Sequence, residues 1–126
     1  MRILVADDEP FIGDLLGLIL KSQGHTAKVV LNGAAALVAF QGDEFDLVIT
    51  DLSMPEIDGL ALAKEIKARK PSQRIALLTG SAEEDMTQPN IDYILAKPVQ
   101  VDKLSELLAA LEAQPVRFTL VARRGS

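Results

Sequence analysis

Residues 46–59, Asp46-Leu47-Val48-Ile49-Thr50-Asp51-Leu52-Ser53-Met54-Pro55-Glu56-Ile57-Asp58-Gly59, contain the strongest structural signal in this chain. The apolar run Leu47-Val48-Ile49 is typical of a buried strand, and it leads directly into a carboxylate. Pro55 and Gly59 then end the strand and lead the chain into a helix. Asp51 is therefore predicted at the carboxyl end of a strand. In an open parallel sheet flanked by helices, ligands bind in the crevice beyond these strand ends.

Strands and helices alternate on both sides of this stretch. Strand patterns cover Ile3–Ala6, Thr26–Leu31, Phe45–Thr50, Arg74–Thr79 and Asp92–Ala96. Helical patterns run from Pro10 until Gly24, from Asn32-Gly33 to about Gln41, from about Asp58 to Arg69, and through Leu104 to near Ala113. Five strands alternating with helices across short loops predict one α/β domain with a doubly wound parallel sheet and right-handed crossovers.

The least regular segment lies between the fourth and fifth predicted strands. Residues Ser81 to Asn90 are acidic and end in Gln88-Pro89-Asn90, so at most a short helix fits there. We therefore predict a shortened fourth helix. Residues 1–114 are expected to form the domain, and residues 115–126 an extension or linker, within which Val116 to Ala122 is apolar enough for an extra strand.

Composition narrows the class of protein. A chain of 126 residues suits one domain, and the absence of Cys excludes disulfides and thiolate zinc sites. The N-terminal apolar run Ile3–Ala6 is too short for a signal peptide or a membrane span, so a cytoplasmic protein without direct membrane contact is expected. Residues 1–114 carry 10 basic and 18 acidic groups, which argues against direct binding of nucleic acid. Residues 115–126 carry three Arg and no acid.

Polar and charged side chains follow four of the five predicted strands. Asp7 and Asp8 follow the first, Asp51 the third, Thr79 ends the fourth, and Lys97 follows the fifth. Carboxylates about 4 Å apart repel by roughly 4 kcal/mol at an effective dielectric of 20, so a bound cation is needed to hold them together. Oxygen ligands without His or Cys favour a hard ion such as Mg²⁺.

This combination of motifs resembles the receiver domain of response regulators. The pattern comprises Asp7-Asp8, Asp51 within DLSMPEIDG, Thr79, and Lys97-Pro98, and the likeness covers about residues 2–113. It is similar to the single-domain chemotaxis type, which implies a flavodoxin-like sheet of strand order 2-1-3-4-5. It also implies two-component or phosphorelay signalling. The expected partners are a histidine kinase or histidine phosphotransfer protein as phosphodonor, and a downstream effector protein or domain.

The resemblance implies a role for each acidic residue. Asp51 would be the phosphoacceptor, whose carboxylate attacks a phosphohistidine to form an acyl phosphate. Asp8, Asp51 and the backbone carbonyl of Ser53 would ligate Mg²⁺, and Asp7 would reach the ion through a water. The metal spreads the charge of the transferring phosphoryl group.

Further positions would control the response to phosphorylation. Lys97 would pair with Asp51 at rest and with a phosphoryl oxygen afterwards, and Pro98 matches a family position where the peptide bond is commonly cis. The hydroxyl of Thr79 would move toward the phosphoryl group. Many receivers have Tyr or Phe three residues before the Lys, where this chain has Ile94, so we expect the aromatic half of the switch to differ. We also predict that the signalling face, formed by the shortened fourth helix, the fifth strand and the last helix, is reduced.

Two serines are expected to modulate the lifetime of the acyl phosphate. Ser53 and Ser81 flank the predicted site and should affect the access of water to it. We predict no enzymatic activity beyond self-catalysed phosphotransfer and autodephosphorylation.

Two alternative functions remain compatible with the residues. A Mg²⁺-dependent phosphohydrolase of the haloacid-dehalogenase type also uses a strand-end Asp nucleophile, but it commonly has a second acid where this chain has Ser53, and it needs a capping insertion. A receiver-like interaction domain that never turns over phosphate is the other alternative. Neither GxGxxG nor a P-loop is present, so nucleotide binding is not expected.

Overall fold

Five parallel strands form one sheet in the order β2-β1-β3-β4-β5 in the computed structural model, which describes residues 1–80 and 88–113. The strands are β1 (Arg2–Ala6), β2 (Thr26–Val30), β3 (Leu47–Asp51), β4 (Ile75–Thr79) and β5 (Tyr93–Ala96). The helices are α1 (Pro10–Ser22), α2 (Gly33–Gly42), α3 (Gly59–Arg69) and α4 (Val101–Glu112). Every neighbouring strand pair is parallel. The predicted doubly wound sheet and its order are confirmed.

The helices cover the two faces of the sheet and create a core on each. Side chains alternate across a strand, so Ile3 and Val5 point to one face, and Leu4 and Ala6 to the other. The first core cluster joins the sheet to α1 and α4 through Leu16, Leu20, Leu104 and Leu108. The second core cluster joins it to α2 and α3 through Ala36, Ala39, Leu62, Ala63 and Ile66.

Two helices start where a polar side chain caps the backbone. The Asn32 Oδ1 atom accepts a hydrogen bond from Ala35 N at 2.7 Å, and the Asp58 Oδ1 atom accepts one from Ala61 N at 2.8 Å. Each cap satisfies an amide that the first helical turn leaves without a partner. The caps therefore set where α2 and α3 begin.

Element boundaries differ from the predicted ones by one or two residues. The third strand includes Asp51 rather than ending at Thr50, because Asp51 still pairs in register with Leu78 of β4. The first helix ends at Ser22, and Gly24 adopts a φ of +89°, which an L-residue disfavours and which turns the chain toward β2.

Several predictions fall outside the described residues. The shortened helix was predicted within Ser81 to Asn90, of which residues 81–87 are not described, and the possible strand from Val116 to Ala122 lies in residues 114–126. Residues 88–92, which the structure does describe, form a turn and an extended segment before β5. Within the described ranges, no helix has both the length and the apolar character needed to span a membrane.

Candidate functional site

Among the predicted site residues, the sheet brings five to one edge: Asp7, Asp8, Asp51, Thr79 and Lys97. Backbone hydrogen bonding continues just past the strands: Leu52 N donates to Leu78 O at 3.0 Å, and Lys97 N donates to Thr79 O at 2.9 Å. Asp7 N, which follows β1, likewise donates to Val30 O at the end of β2, at 3.2 Å. These bonds extend the backbone pairing one residue beyond β1, β3 and β5.

Three carboxylates meet at this edge. One carboxylate oxygen each of Asp7, Asp8 and Asp51 lies within 4.8 Å of the other two. Asp7 is fully buried and Asp51 is 4% exposed, whereas Asp8 is open to solvent. The structure thus brings together the three acids that the sequence placed at the ends of two different strands.

Asp7 is the most constrained of the three. Its Oδ1 atom accepts a hydrogen bond from Glu9 N at 2.9 Å, while its buried Oδ2 atom has no hydrogen-bond partner among the described residues. Burial raises the pKa of Asp7 above its ordinary value, and repulsion by Asp51 adds to this, although the Glu9 amide and the Lys97 charge act in the opposite direction. A positive charge in addition to Lys97, placed near Oδ2, would stabilise the ionised form of Asp7.

The Lys97 ammonium lies among the carboxylates. Its Nζ atom is 2.9 Å from Asp51 Oδ1, and 3.9 Å from both Asp7 Oδ2 and Glu9 Oε1. Burial opposes the charged form, but the hydrogen bond to Asp51 and the surrounding carboxylates outweigh it, so the pKa of Lys97 is raised. Lys97 therefore stays protonated at neutral pH. The Lys97-Pro98 peptide bond is cis, as the resemblance suggested.

An open cleft of about 380 Å³ exposes these groups to solvent. Thr79 lies in its wall and is 3% exposed, and Ser53 lies at its edge with an exposed side chain. Ser81 belongs to residues 81–87 and lies outside the described part of the chain. The cleft is lined by Asp8, Glu9, Asp51, Leu52, Ser53, Thr79, Gly80 and Lys97.

Glu9 is a site residue that the sequence interpretation left without a role. It directly follows the acidic pair, lines the cleft, and contacts Lys97 although its side chain is 65% exposed. No sequence pattern indicated this contact, because Glu9 follows β1 and Lys97 follows β5, and only the folded sheet brings the two loops to the same edge. Only the distance to Lys97 distinguishes Glu9 from an ordinary solvated acid.

Gly59 is a second residue beside the site whose contact with Asp51 the sequence interpretation did not predict. A Cβ atom there would lie 2.3 Å from the carbonyl oxygen of Asp51, closer than real Cβ atoms come to other atoms. Its amide donates to Leu52 O at 2.8 Å. The first residue of α3 thus lies directly against the backbone of Asp51.

The residues before Lys97 point to opposite faces of β5. Tyr93 packs against the first core cluster, and its hydroxyl lies 2.5 Å from Arg74 Nη1. Ile94 is half-buried and borders a groove along β5. Tyr93 therefore does not substitute for the aromatic residue that many receivers have at position 94.

The residues present suit a hard divalent cation. The converging carboxylate oxygens are ligands that Mg²⁺ prefers, and the Asp7 Oδ2 atom is a buried acceptor that a cation or its water could satisfy. The acidic cluster is thus compatible with the metal site of receiver domains.

Comparison with known proteins identifies the class. The family model of the response regulator receiver domain matches residues 3–109. The chain is similar to the transcriptional regulatory protein GlrR of Escherichia coli (strain K12), with 36% identity over 111 residues that cover 85% of this chain and 25% of that protein. It is also similar to the transcriptional regulatory protein TcrA of Mycobacterium tuberculosis, with 32% identity, covering 77% of this chain and 44% of that protein.

Solved structures agree with this class. The response regulator protein TrrA from Thermotoga maritima, in complex with Mg²⁺-BeF, has 38% identity and a TM-score of 0.80, and the match covers 87% of this chain and 97% of that one. A receiver domain protein from Clostridium thermocellum has 25% identity and a TM-score of 0.82, covering 90% and 94% of the two chains.

This chain belongs to the response regulator receiver domain family, and it is a signalling domain of two-component systems. The predicted family and function are confirmed at this level. The chain spans a quarter to less than half of the length of the curated relatives named above.

Proposed function

We propose that this domain accepts a phosphoryl group on Asp51 and thereby changes its affinity for a downstream partner. The observation that supports it most is the arrangement around Asp51: the carboxylate is nearly buried, lies within 4.8 Å of two further acids, and is 2.9 Å from the Lys97 ammonium. The sheet holds this carboxylate in a fixed position at an open cleft, and Lys97 supplies one of the positive charges that stabilise transfer of a phosphoryl group.

The transfer itself is a substitution at phosphorus. An Asp51 carboxylate oxygen forms a bond to the phosphorus of a phosphohistidine, and the P–N bond breaks with its electron pair going to the imidazole. The product is an acyl phosphate on Asp51. Water later cleaves it, releasing inorganic phosphate and restoring the carboxylate, which is the only turnover we assign to this domain.

We propose Mg²⁺ as the cofactor, held by Asp8, Asp51 and the backbone carbonyl of Ser53, with Asp7 reaching it through a water. Its chemical contribution when bound is to neutralise charge on the transferring phosphoryl oxygens. The complex of TrrA with Mg²⁺-BeF, at 38% identity, supports this assignment. Asp7 is suited to its role because its buried Oδ2 atom needs a polar partner.

The remaining assigned residues respond to the phosphoryl group. Lys97 exchanges its bond to Asp51 for one to a phosphoryl oxygen, and the Thr79 hydroxyl, which lines the same cleft, turns toward that group. Ile94, lacking an aromatic ring, gives the switch a smaller side-chain movement. Ser53 and Ser81 modulate the access of water to the acyl phosphate.

The phosphodonor is a histidine kinase or histidine phosphotransfer protein, and the output is a downstream effector protein or domain. We place the domain within residues 1–114, with residues 115–126 as extension or linker, and we propose a cytoplasmic location. The similarity to the transcriptional regulatory proteins GlrR and TcrA supports an effector in gene control without direct nucleic-acid contact by this domain.

Incubation with acetyl phosphate and Mg²⁺, followed by intact-mass measurement, tests the proposal. We expect one added phosphoryl group that is absent in Asp51→Asn and absent without Mg²⁺. Rapid turnover of simple phosphate esters would indicate a phosphohydrolase of the haloacid-dehalogenase type instead. A folded protein that stays unmodified by acetyl phosphate and by a phosphohistidine donor would indicate an interaction domain independent of phosphate.

A further inference from the structure

Glu9 gives the cleft a negative charge that the proposed phosphotransfer does not use. Its Oε1 atom lies 3.9 Å from Lys97 Nζ, and its side chain is 65% exposed at the cleft wall. The proposed metal site needs Asp7, Asp8 and Asp51, but not Glu9. Asp7, Asp8, Asp51 and Glu9 together carry four negative charges. Lys97 and a divalent cation supply three positive charges, so one formal negative charge remains around the cleft.

This charge lies where a phosphodonor must enter. Glu9 lines the same cleft as Asp51 and Lys97, and an incoming phosphate must approach Asp51 through it. Glu9 also competes for the ammonium that is proposed to receive a phosphoryl oxygen. Both effects are electrostatic, so they act most strongly on donors of high negative charge and weaken as salt increases.

We propose that Glu9 is a specificity-determining residue that disfavours small, doubly anionic phosphodonors. This inference rests on the proposed phosphorylation of Asp51. A protein donor can offset the repulsion with the binding energy of its docking surface, whereas a small molecule has only its phosphate to bind with. Glu9 thereby biases the domain toward phosphorylation by a partner protein rather than by free metabolites of the acyl phosphate class.

The test compares Glu9→Gln with Glu106→Gln. The control has the same chemistry in a similar setting: Glu106 on α4 lies 4.0 Å from the Lys103 ammonium, is 69% exposed and does not line the cleft. Apparent second-order rate constants for Asp51 phosphorylation are measured at saturating Mg²⁺. The donors are acetyl phosphate, doubly anionic at neutral pH, and phosphoramidate, mostly singly anionic. Ionic strength is set to about 0.1 M and about 1 M, which shortens the screening length from about 10 to about 3 Å.

We expect Glu9→Gln to raise the rate with acetyl phosphate by about two- to five-fold at the lower ionic strength, which is the range for one exposed charge. The gain should be smaller with phosphoramidate and should nearly vanish at the higher ionic strength. Glu106→Gln should leave all rates unchanged. Thermal unfolding and calorimetric titration with Mg²⁺ check that both variants stay folded and bind the ion.

An unchanged or slower rate in Glu9→Gln overturns the inference while leaving the proposed function intact, because wild-type phosphorylation is measured in the same experiment. A gain that is equal for both donors, or insensitive to salt, also overturns it, since a change in local structure rather than charge would then be the cause. A wild-type protein that no donor phosphorylates overturns the proposed function and this inference together.

Discussion

Single residues around Asp51 combine close packing with unfavourable charge. Gly59 allows α3 to start against the Asp51 carbonyl, and Asp7 is a buried acid whose Oδ2 atom lacks a hydrogen-bond partner among the described residues. The buried Asp7 carboxylate lowers the stability of the isolated protein, whereas the close contact of Gly59 restricts which residue can start α3. Both are understandable if the local structure serves to hold Asp51 and a cation in place, since sites of this kind commonly trade stability for function.

Gly59→Ala should damage the site more than its effect on stability suggests. The new Cβ would displace the Asp51 and Leu52 backbone, which the sheet holds rigidly. We expect the free energy of unfolding to fall by about 1–3 kcal/mol, as in other overpacked sites. Asp51 phosphorylation by acetyl phosphate should slow by about ten-fold or more because the nucleophile is misplaced.

Gly13→Ala is the matched control for that variant. Its Cβ would meet Val29 Cγ1 at 2.8 Å, a milder clash between α1 and β2 that involves a side chain rather than backbone and lies away from the site. It should lose stability but keep its phosphorylation rate. Equal loss of rate in the two variants, measured on folded protein, would mean that Gly59 has no special relation to Asp51.

Asp7→Asn should stabilise the metal-free protein at neutral pH. The pKa of Asp7 is raised by burial, so the folded state binds the proton more tightly than the unfolded chain. The stability linked to this group is fully present below the ordinary pKa of 3.8 and is lost as pH rises through the raised value. Asp7→Asn should therefore raise the free energy of unfolding at neutral pH, because the neutral amide avoids the desolvation of an ionised carboxylate.

Urea unfolding in the presence of a chelator measures this effect. The gain from Asp7→Asn should disappear as the pH is lowered below 3.8, the ordinary value. It should also shrink when Mg²⁺ is added, because the variant binds the ion more weakly. Asp8→Asn serves for comparison: Asp8 is exposed, so its gain should be smaller. A destabilised Asp7→Asn without metal would contradict this account.

Among the elements, α3 is the helix most closely tied to the site. It begins one residue after Asp58, whose side chain caps it, and its first residue contacts the backbone of Asp51. Its other end is anchored through Lys67, whose Nζ atom is 2.9 Å from Asp92 Oδ2, while the same Asp92 oxygen accepts a hydrogen bond from Ile75 N at 2.9 Å. The start of α3 is therefore fixed at the site, and its last turns are fixed near the amino ends of β4 and β5.

Asp58→Ala should destabilise the domain by about 1 kcal/mol, because the Ala61 amide loses its cap. Asp58→Asn should recover most of this loss, since Asn also caps well. Asn32→Ala removes the equivalent cap of α2 and should cost a similar amount. Thermal unfolding of the four proteins measures these differences. A cost near zero for Asp58→Ala would show that packing alone sets the start of α3.

At the scale of the whole molecule, the sheet separates two hydrophobic cores, and apolar residues of its strands contribute to one core or the other. Because β1 contributes Ile3 and Val5 to one core and Leu4 and Ala6 to the other, neither core can form without the sheet. The domain should therefore unfold as one cooperative unit. The site at the sheet edge depends on both cores through the strands that carry it.

Truncation in either core should lower the stability of the whole domain. Leu16→Ala in the first core cluster and Leu62→Ala in the second should each cost about 2–5 kcal/mol. Leu18→Ala, at a side chain that is 67% exposed, should change stability by less than about 0.5 kcal/mol. Denaturant unfolding followed by circular dichroism and by Tyr93 fluorescence should give coincident transitions, and separate transitions would refute a single unit.

The amino-acid sequence by itself predicted nearly all of the architecture that the structure describes. Apolar runs of strand length ending in Asp7, Asp51 and Thr79 are local signals, and carboxyl ends of parallel strands share one edge. Alternation alone leaves the strand order open, and it was the likeness to receiver domains that supplied the order 2-1-3-4-5. The same likeness supplied the roles proposed for the site residues.

Tertiary structure alone decided the distances and burial within the site. Asp7 and Asp8 are neighbours in the chain, yet one is fully buried and the other exposed, because packing against the sheet covers only one side of the loop. The contact of Glu9 with Lys97 and the approach of Gly59 to Asp51 join residues that sequence patterns treat separately. Such contacts depend on how packed elements meet, and local periodicity contains no information about distances between them.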